Sequence, residues 1–169
     1  MSLWVDITGA INADTVYSEG ELVARDAAFK LPEVAFVTAD HKALGAMSLP
    51  VNGQLESMET TITKIGVDIG LARLVRLQSA NLEFRWAQTV KSADGTMKTV
   101  GCKAFIRGVP KKLPGISIDP GNLTENEIPI EVTRYQLIAD GNELVLIDRL
   151  ASIIRIDGKD YFDEIRSLL

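Results

Sequence analysis

Few of the side chains that do chemistry are present, and none sits in a working arrangement. The chain has one His and one Cys. His41 lies in the polar stretch Ala39-Asp40-His41-Lys42, with no second imidazole to share a metal ion or relay a proton, and reads as a solvated loop residue. Cys102 falls on the apolar phase of an alternating run, where a free thiol behaves as a small hydrophobe rather than a nucleophile. A single Cys builds neither a disulfide framework nor a Cys-rich zinc site. Carboxylates gather at Asp157, Asp160, Asp163 and Glu164, but Gly158 follows the first Asp directly. That spacing does not match the calcium-loop pattern D-x-[DN]-x-[DN]-G, so these residues read as turn chemistry and a solvated terminus. There is no G-x-G-x-x-G, no G-x-x-x-x-G-K-[ST] and no G-x-S-x-G. A carboxylate pair for acid–base work needs no fixed spacing, yet nothing here singles one out. Met47, Met58 and Met97 show no helical spacing, and Trp4 and Trp86 read as packing or interface residues. No catalytic residue, cofactor site or metal site is expected.

Composition narrows the classes further. The 169 residues, 46% apolar and 24% charged, are ordinary for a folded soluble protein and fit one domain spanning 1–169. With 18 Lys+Arg against 23 Asp+Glu, the net charge is −5, a poor balance for gripping phosphate backbones. The N-terminus Met1-Ser2-Leu3-Trp4-Val5-Asp6 has no basic residue and no long apolar run, so no signal peptide is expected. The longest charge-free run, Ala43 to Leu55, has thirteen residues and contains Gly45, Pro50 and Gly53. It is too short and too broken to cross a bilayer, so no membrane anchoring and an intracellular origin are expected. Charge is unevenly spread. From Asn81 to Lys112 there are seven basic and two acidic residues; from Leu113 onward there are eleven acidic and five basic. Blocks of opposite sign suit two solvated faces, or complementary contact between copies.

The elements that position these residues read mostly as strands. Leu82, Phe84, Trp86 and Val90 alternate with polar residues, as do Val100, Cys102, Ala104 and Ile106, and Asp94-Gly95 between them predicts a hairpin. Asp140-Gly141-Asn142 predicts a second hairpin between Ile128–Ala139 and Glu143–Asp148, and Asp157-Gly158-Lys159 a third turn after Ile153, Ile154 and Ile156. Within Ile128–Ala139 the phase slips: Ile128, Ile130 and Val132 share one face, Tyr135 and Leu137 the other. Either a bulge near Thr133 or a change from core to interface accounts for that. Asp68 predicts a helix cap, with Leu71, Leu74, Val75 and Leu77 on one face and Arg73 and Arg76 near the C-terminal end. Tyr161–Leu169 fits helix or strand, and Leu113–Asn126 reads as an irregular excursion. Glu33–Val37 and Leu55–Ile65 read as strands flanking Ala39–Gln54, a long loop or hairpin rich in apolar and flexible residues. In Leu55–Ile65 neither alternate set is wholly apolar, and one set is Ser57, Glu59, Thr61 and Thr63. The fold class is mainly β: a β-sandwich or barrel with one flanking α-helix.

One ordered set of residues carries a family likeness. Leu31-Pro32 is followed by Gly45-Ala46-Met47, Pro50-Val51, Leu55 and Met58-Glu59; Arg107-Gly108 closes a strand. Tyr135 then precedes Asp140-Gly141, Glu143-Leu144, Ile147-Asp148, and Gly158 with Asp160. In order and spacing, from about Asp14 to the C-terminus, this resembles the major tail tube protein of contractile-tailed phages and of phage-tail-like bacteriocins. The resemblance implies a non-enzymatic virion protein that needs no cofactor and is assembled in the host cytoplasm. Copies would close into hexameric rings sharing a continuous inner β-barrel, and the rings would stack into a tube. Its partners would be itself, the tail sheath protein, the tape-measure protein, and baseplate and tail-terminator proteins. DNA would pass through the channel without specific binding. Beside that likeness, Lys42, Gly45, Met47, Leu49, Pro50 and Val51 become candidates for contact between stacked rings. Ser57, Glu59, Thr61 and Thr63 become candidates for the channel wall. The alternatives are a type VI secretion-like tube subunit, a monomeric β-sandwich binding module, for example for carbohydrate, and an enzyme with an unrecognised site.

Overall fold

Where apolar and polar residues alternate longest, the chain is extended. The computed structural model describes residues 6–169; Trp4 lies outside them. Among the described residues there are twelve strands and two short helices: β1 (Ile7–Ser18), β2 (Glu21–Arg25), β3 (Ala28–Lys30), β4 (Phe36–Lys42), β5 (Ala46–Leu55), β6 (Glu59–Ile65), α1 (Ile69–Leu74), β7 (Ala80–Lys91), β8 (Met97–Pro110), β9 (Glu125–Ala139), β10 (Asn142–Asp148), β11 (Ile153–Ile156), β12 (Lys159–Asp160) and α2 (Asp163–Leu168). All the predicted turns form. Asp140 and Gly141 take φ of 48° and 77°, and Asp157 and Gly158 take 51° and 79°. Both pairs thus have the two positive angles that match a tight hairpin to strand twist. At the β7–β8 turn Gly95 has φ 84°, and Asp94 Oδ1 accepts from the Thr96 N–H at 2.9 Å.

The main sheet is antiparallel, in the order β12-β11-β10-β9-β8-β7-β1-β2. Strand β9 also carries a second layer. Its first half pairs with β6, Glu59 opposite Glu131 through Ile65 opposite Glu125, and β6 carries β3. The two halves of β9 meet at a bulge. Arg107 pairs with Arg134 but Gly108 pairs with Val132, which leaves Thr133 over. Thr133 Oγ1 donates to the Arg107 carbonyl at 3.2 Å. The extra residue resets the phase, so Ile128, Ile130, Val132 and Tyr135 all enter one core. Of the two readings of the slip, the bulge is the one the molecule uses. Gly108 makes the bulge possible: a Cβ there would lie 2.5 Å from the Glu131 carbonyl oxygen.

The core fills the space between the layers. Val16, Met58, Ile62, Phe84, Ala104, Ile128, Ile130, Val132 and Ile147 are buried in it. Phe29 of β3 stacks on Phe84 at 4.7 Å and meets the edge of Trp86 at 5.8 Å. Burial pushes the Tyr135 phenol up to about 12.

Several elements differ from the sequence expectation. The run Leu55–Ile65 is not one strand: β5 ends at Leu55 and β6 begins at Glu59. Only Phe36 and Val37 of Glu33–Val37 are extended, as the start of β4. Helix α1 stops at Leu74, and Leu77 is 80% exposed instead of joining Leu71 and Leu74 in the core. Leu113–Thr124 is irregular, but Glu125 and Asn126 already belong to β9. Asn126 is buried and donates to the Gly66 carbonyl at 2.9 Å. Tyr161–Leu169, open between helix and strand, supplies the short helix α2.

The inner phase of β6 explains why neither of its sets looked apolar. Thr60 is buried and donates to the Lys30 carbonyl at 2.7 Å. Lys64, 6% exposed, pairs with Asp68 at 3.2 Å. Asp68 also caps α1 by accepting from the Leu71 N–H at 3.0 Å. Desolvation would raise its pKa, but the Leu71 N–H and the Lys64 ammonium outweigh that and hold the carboxyl below 3.8. The folded value thus lies below the unfolded one, so this contribution is present above about 3.8 and lost as pH falls through the folded value. Asp68→Asn keeps the cap but removes the counter-charge of a buried ammonium. It should lower the melting temperature at neutral pH, and the gap from wild type should narrow as the solution is acidified below about pH 4. Thermal melts across the acid limb check both signs.

Candidate assembly interface

Strands β4 and β5 leave the sandwich as a two-stranded ribbon of their own. They pair from Thr38 opposite Pro50 to Lys42 opposite Ala46. Pro50 is tolerated because the ribbon has open edges. Ala43, Leu44 and Gly45 form the tip, with φ of 52° at Leu44 and 121° at Gly45. All six inter-ring candidates lie here. Lys42 ends β4, Gly45 is in the turn, and Met47, Leu49, Pro50 and Val51 are on β5. All are exposed except Val51, which is half-buried near the ribbon's base. Of the long loop or hairpin expected over Ala39–Gln54, the hairpin is what forms, and its strands provide its reach.

Sequence reasoning missed what sets the ribbon's direction. Between Phe36 and Thr38 the register shifts, and Val51 to Gln54 bulge out opposite Val37. The C-terminal segment grips that bulge. The Arg149 guanidinium donates to the Glu56 carbonyl at 2.6 Å and to the Leu55 carbonyl at 3.1 Å. Asn52 donates to the Tyr161 carbonyl at 2.9 Å. Gly53, at φ 85°, lies under the Phe162 ring, where a Cβ would come within 2.5 Å. Arg166 ties the same segment down by donating to the Ser152 carbonyl at 2.7 Å and to Asp160 at 2.8 Å. Carboxylates of the C-terminal cluster are thus partners of Arg166: Asp160 and Asp163 hold it, while Asp157 forms its turn. The Arg149 and Asn52 contacts join residues about a hundred positions apart, as in Arg149 and Glu56, and no local pattern announces them. The left-handed backbone at Leu44 was also missed, because leucine is not a turn residue.

The four channel-wall candidates come together on one face. Glu59, Thr61 and Thr63 occupy the outer phase of β6, and Ser57 lies just before it. Opposite them on β9 are Glu131, Pro129 and Glu127. The Ser57 hydroxyl donates to both Glu131 oxygens at 2.7 and 2.9 Å. Lys111 bridges Glu59 at 2.5 Å and Glu131 at 3.2 Å, and its pKa rises because Glu59 and then Glu131 accept from it. Lys30 faces Thr61 from β3 on the same side, so three carboxylates stand against two ammonium groups and leave this face weakly anionic. Of the basic block, Arg85, Lys91, Lys103 and Arg107 lie elsewhere, on the outer phase of β7 and β8, where Arg85 faces Lys103 and Asn81 faces Arg107, whereas Lys111 joins the acidic face. Of the lone reactive groups, Cys102 is 3% exposed, and burial and the nearby Asp140 push its thiol up. His41 is exposed on β4.

Comparison with known proteins bears on the family and the fold. A family profile described as phage tail tube protein FII matches residues 9–169. The tail tube protein of Escherichia phage P2 is 33% identical over 73 residues, which is 43% of this chain and 42% of that relative's length. The chain also resembles one from the cryo-EM structure of the sheath–tube complex of an extracellular contractile injection system, PVC, in the extended state. There the TM-score is 0.51 at 15% identity, over 75% of this chain and 88% of the other. A chain from the sheath/tube terminator of the same system gives 0.50 at 13% identity, over 74% and 92%. At such identities these two likenesses speak for the fold.

The clamp on the ribbon is testable in the unassembled subunit. Arg149→Ala removes two hydrogen bonds from a charged donor, and each such bond contributes on the order of 1.5 kcal/mol. Amides of β4 and β5 should then exchange about tenfold faster or more, while those of β8 and β9 keep their protection. Hydrogen exchange with peptide-level readout checks this, and uniform loss of protection would show that Arg149 supports the whole sandwich instead.

Proposed function

The chain belongs to the phage tail tube protein FII family, and from that premise we propose that it builds the inner tube of a contractile phage tail or tailocin as stacked hexameric rings. It is a structural component of the phage tail, not an enzyme. The observation that carries the proposal is the family match across 9–169. Two features of the fold support it. The first is edge chemistry. Among the described residues the Ile7–Ala13 part of β1 pairs with β7 on one side only, since β2 covers β1 from Thr15 onward and the Asp26 N–H reaches the Asp14 carbonyl. The opposite edge of the sheet is the two-residue β12. Such edges present unpaired N–H and C=O groups and invite uncontrolled pairing. Joining one copy's edge to its neighbour's closes the sheets into a shared barrel.

The second feature is the ribbon. Its tip and strands expose Leu44, Met47 and Leu49, apolar surface that is costly in water but useful against a neighbouring ring. The Ser57, Glu59, Thr61 and Thr63 face lines the channel, where its negative charge lets DNA pass without being held. The tape-measure protein occupies the same channel before DNA does. The sheath contacts the outside of the tube, and baseplate and terminator proteins contact its ends. Assembly takes place in the host cytoplasm.

Negative-stain micrographs of concentrated protein should show rings or tubes; a persistent monomer would sink the proposal. Met47→Asp or Leu49→Asp should leave the subunit's melting temperature within about 0.5 kcal/mol equivalent of wild type, yet prevent long tubes, because a desolvated carboxylate at the contact has no partner. Sedimentation and electron microscopy check both halves.

The channel assignment has its own test. Assembled tubes should not retain duplex DNA in a salt-sensitive manner. Retention that weakens steeply with added salt would instead point to the Arg85, Lys103 and Arg107 face as the wall.

A further inference from the structure

Two features of the described residues have no use within a lone subunit. One is Leu44. Its side chain is wholly exposed, and its φ of 52° is a left-handed conformation that bulky residues rarely adopt. The fold holds a leucine in a disfavoured backbone state in order to place it in water. The other is a cleft at the open end of the sandwich. Strands β7 and β8 run past the three residues of β3, so the sheet outreaches its cover. The cleft this leaves is lined by Ile11, Asp14, Ala28, Phe29, Leu31 and Trp86. Ile11 is 64% exposed on it.

Asp14 is out of place there. It sits opposite Trp86 in the sheet, and its Oδ1 is buried with no hydrogen-bond partner among the described residues. Burial raises its pKa; the Ala27 and Asp26 backbone N–H groups oppose this, and the Asp26 charge adds to it. A carboxylate oxygen in such a site calls for a cation. Arg85, nearby on β7, is already taken by Glu83 at 2.6 Å.

The ribbon offers the complement. Lys42 stands two residues before Leu44 and makes no ion pair within its own subunit among the described residues. One chain therefore carries an apolar tip with a spare ammonium, and an apolar cleft with a spare carboxylate. The tip is wholly exposed in its own subunit and the clamp at the ribbon's base fixes its direction, so a tip in the cleft would have to come from another copy.

We propose that the cleft receives the β4–β5 tip of a second copy, with Leu44 against Phe29, Leu31 and Trp86 and the Lys42 ammonium paired with Asp14. This rests on the tube-subunit proposal and deepens it. Tip-into-cleft is a heterologous contact: each copy gives its tip to one neighbour and takes the tip of another. Such contacts propagate where the rotation does not close.

A charge swap tests it. Lys42→Asp and Asp14→Lys should each reduce the protein that sediments as tubes by about tenfold or more, and the double variant should recover most of it. Asp14→Lys places an ammonium in a half-buried position and could unfold the subunit, so a second measurement is needed. In a Cys102→Ala background, Ile11→Cys protein and Leu44→Cys protein are mixed, assembled and mildly oxidised. Disulfide-linked dimers should form from the mixture and not from either protein alone. Full-length tubes from Lys42→Asp protein would overturn the proposal. So would the absence of cross-linking where Met47→Asp still blocks tubes, since the hairpin would then stack against some other surface. Normal tubes from Met47→Asp and Leu49→Asp would remove the hairpin from assembly altogether, and the tip-into-cleft contact with it.

Discussion

One extra residue in β9 decides the shape of the molecule. A strand that changes register by one residue turns its whole apolar set to the other side. β9 needs that change half-way, because its first half faces the core through Ile128, Ile130 and Val132 and its second through Tyr135. Thr133 absorbs the difference. Without it Tyr135 would face solvent, β10 would present Ile147 outward, and the layer carried by β6 could not fold over Phe84. The bulge also reaches the base of the β4–β5 ribbon. The Thr133 carbonyl accepts from the Arg149 N–H at 3.0 Å, and the Arg149 guanidinium grips the base of the ribbon. Core phase and ribbon direction are therefore set from the same point.

Much of this was legible in the residues, and the division follows the range of the interactions. The Asp-Gly turns are local, and all formed. The slip between Val132 and Tyr135 showed that β9 was irregular, although it could not separate a bulge from a change of face. The Asp68 cap was legible because its partner, the Leu71 N–H, is three residues away. Leu77 was misplaced because helical spacing continues on paper where the chain does not. Lys64 hid the inner phase of β6, since a buried lysine looks solvated until Asp68 is placed beside it. The six inter-ring candidates share one hairpin because they are close in sequence. The clamp was not, because Arg149, Asn52 and Phe162 meet only through the fold.

The acidic composition and the two charge blocks also find a physical place. Arg85, Lys91, Lys103 and Arg107 of the basic block lie on the outer phase of β7 and β8, and acidic residues of β9 lie beside β6 with Lys111 among them. Neither face gathers groups that activate a nucleophile or hold an ion. Glu59 and Glu131 share Lys111, Glu143 shares Arg155, and Asp160 shares Arg166. Charges paired with one another leave polar surfaces. Such surfaces suit a subunit whose main ligand is another copy of itself.

The clamped ribbon also has a mechanical meaning. A hairpin tethered only through its two strands would act as a soft spring, and strain applied at the tip would dissipate in bending. Here the bulged base is seated on Phe162 through Gly53 and held by Arg149, whose own N–H is fastened to Thr133 in the middle of the longest strand. Force arriving at Leu44 would pass along the ribbon, through one guanidinium, and into the sheet at its best-supported point. An object built from such subunits would resist compression as a column does, with each storey's load taken by the frame of the next.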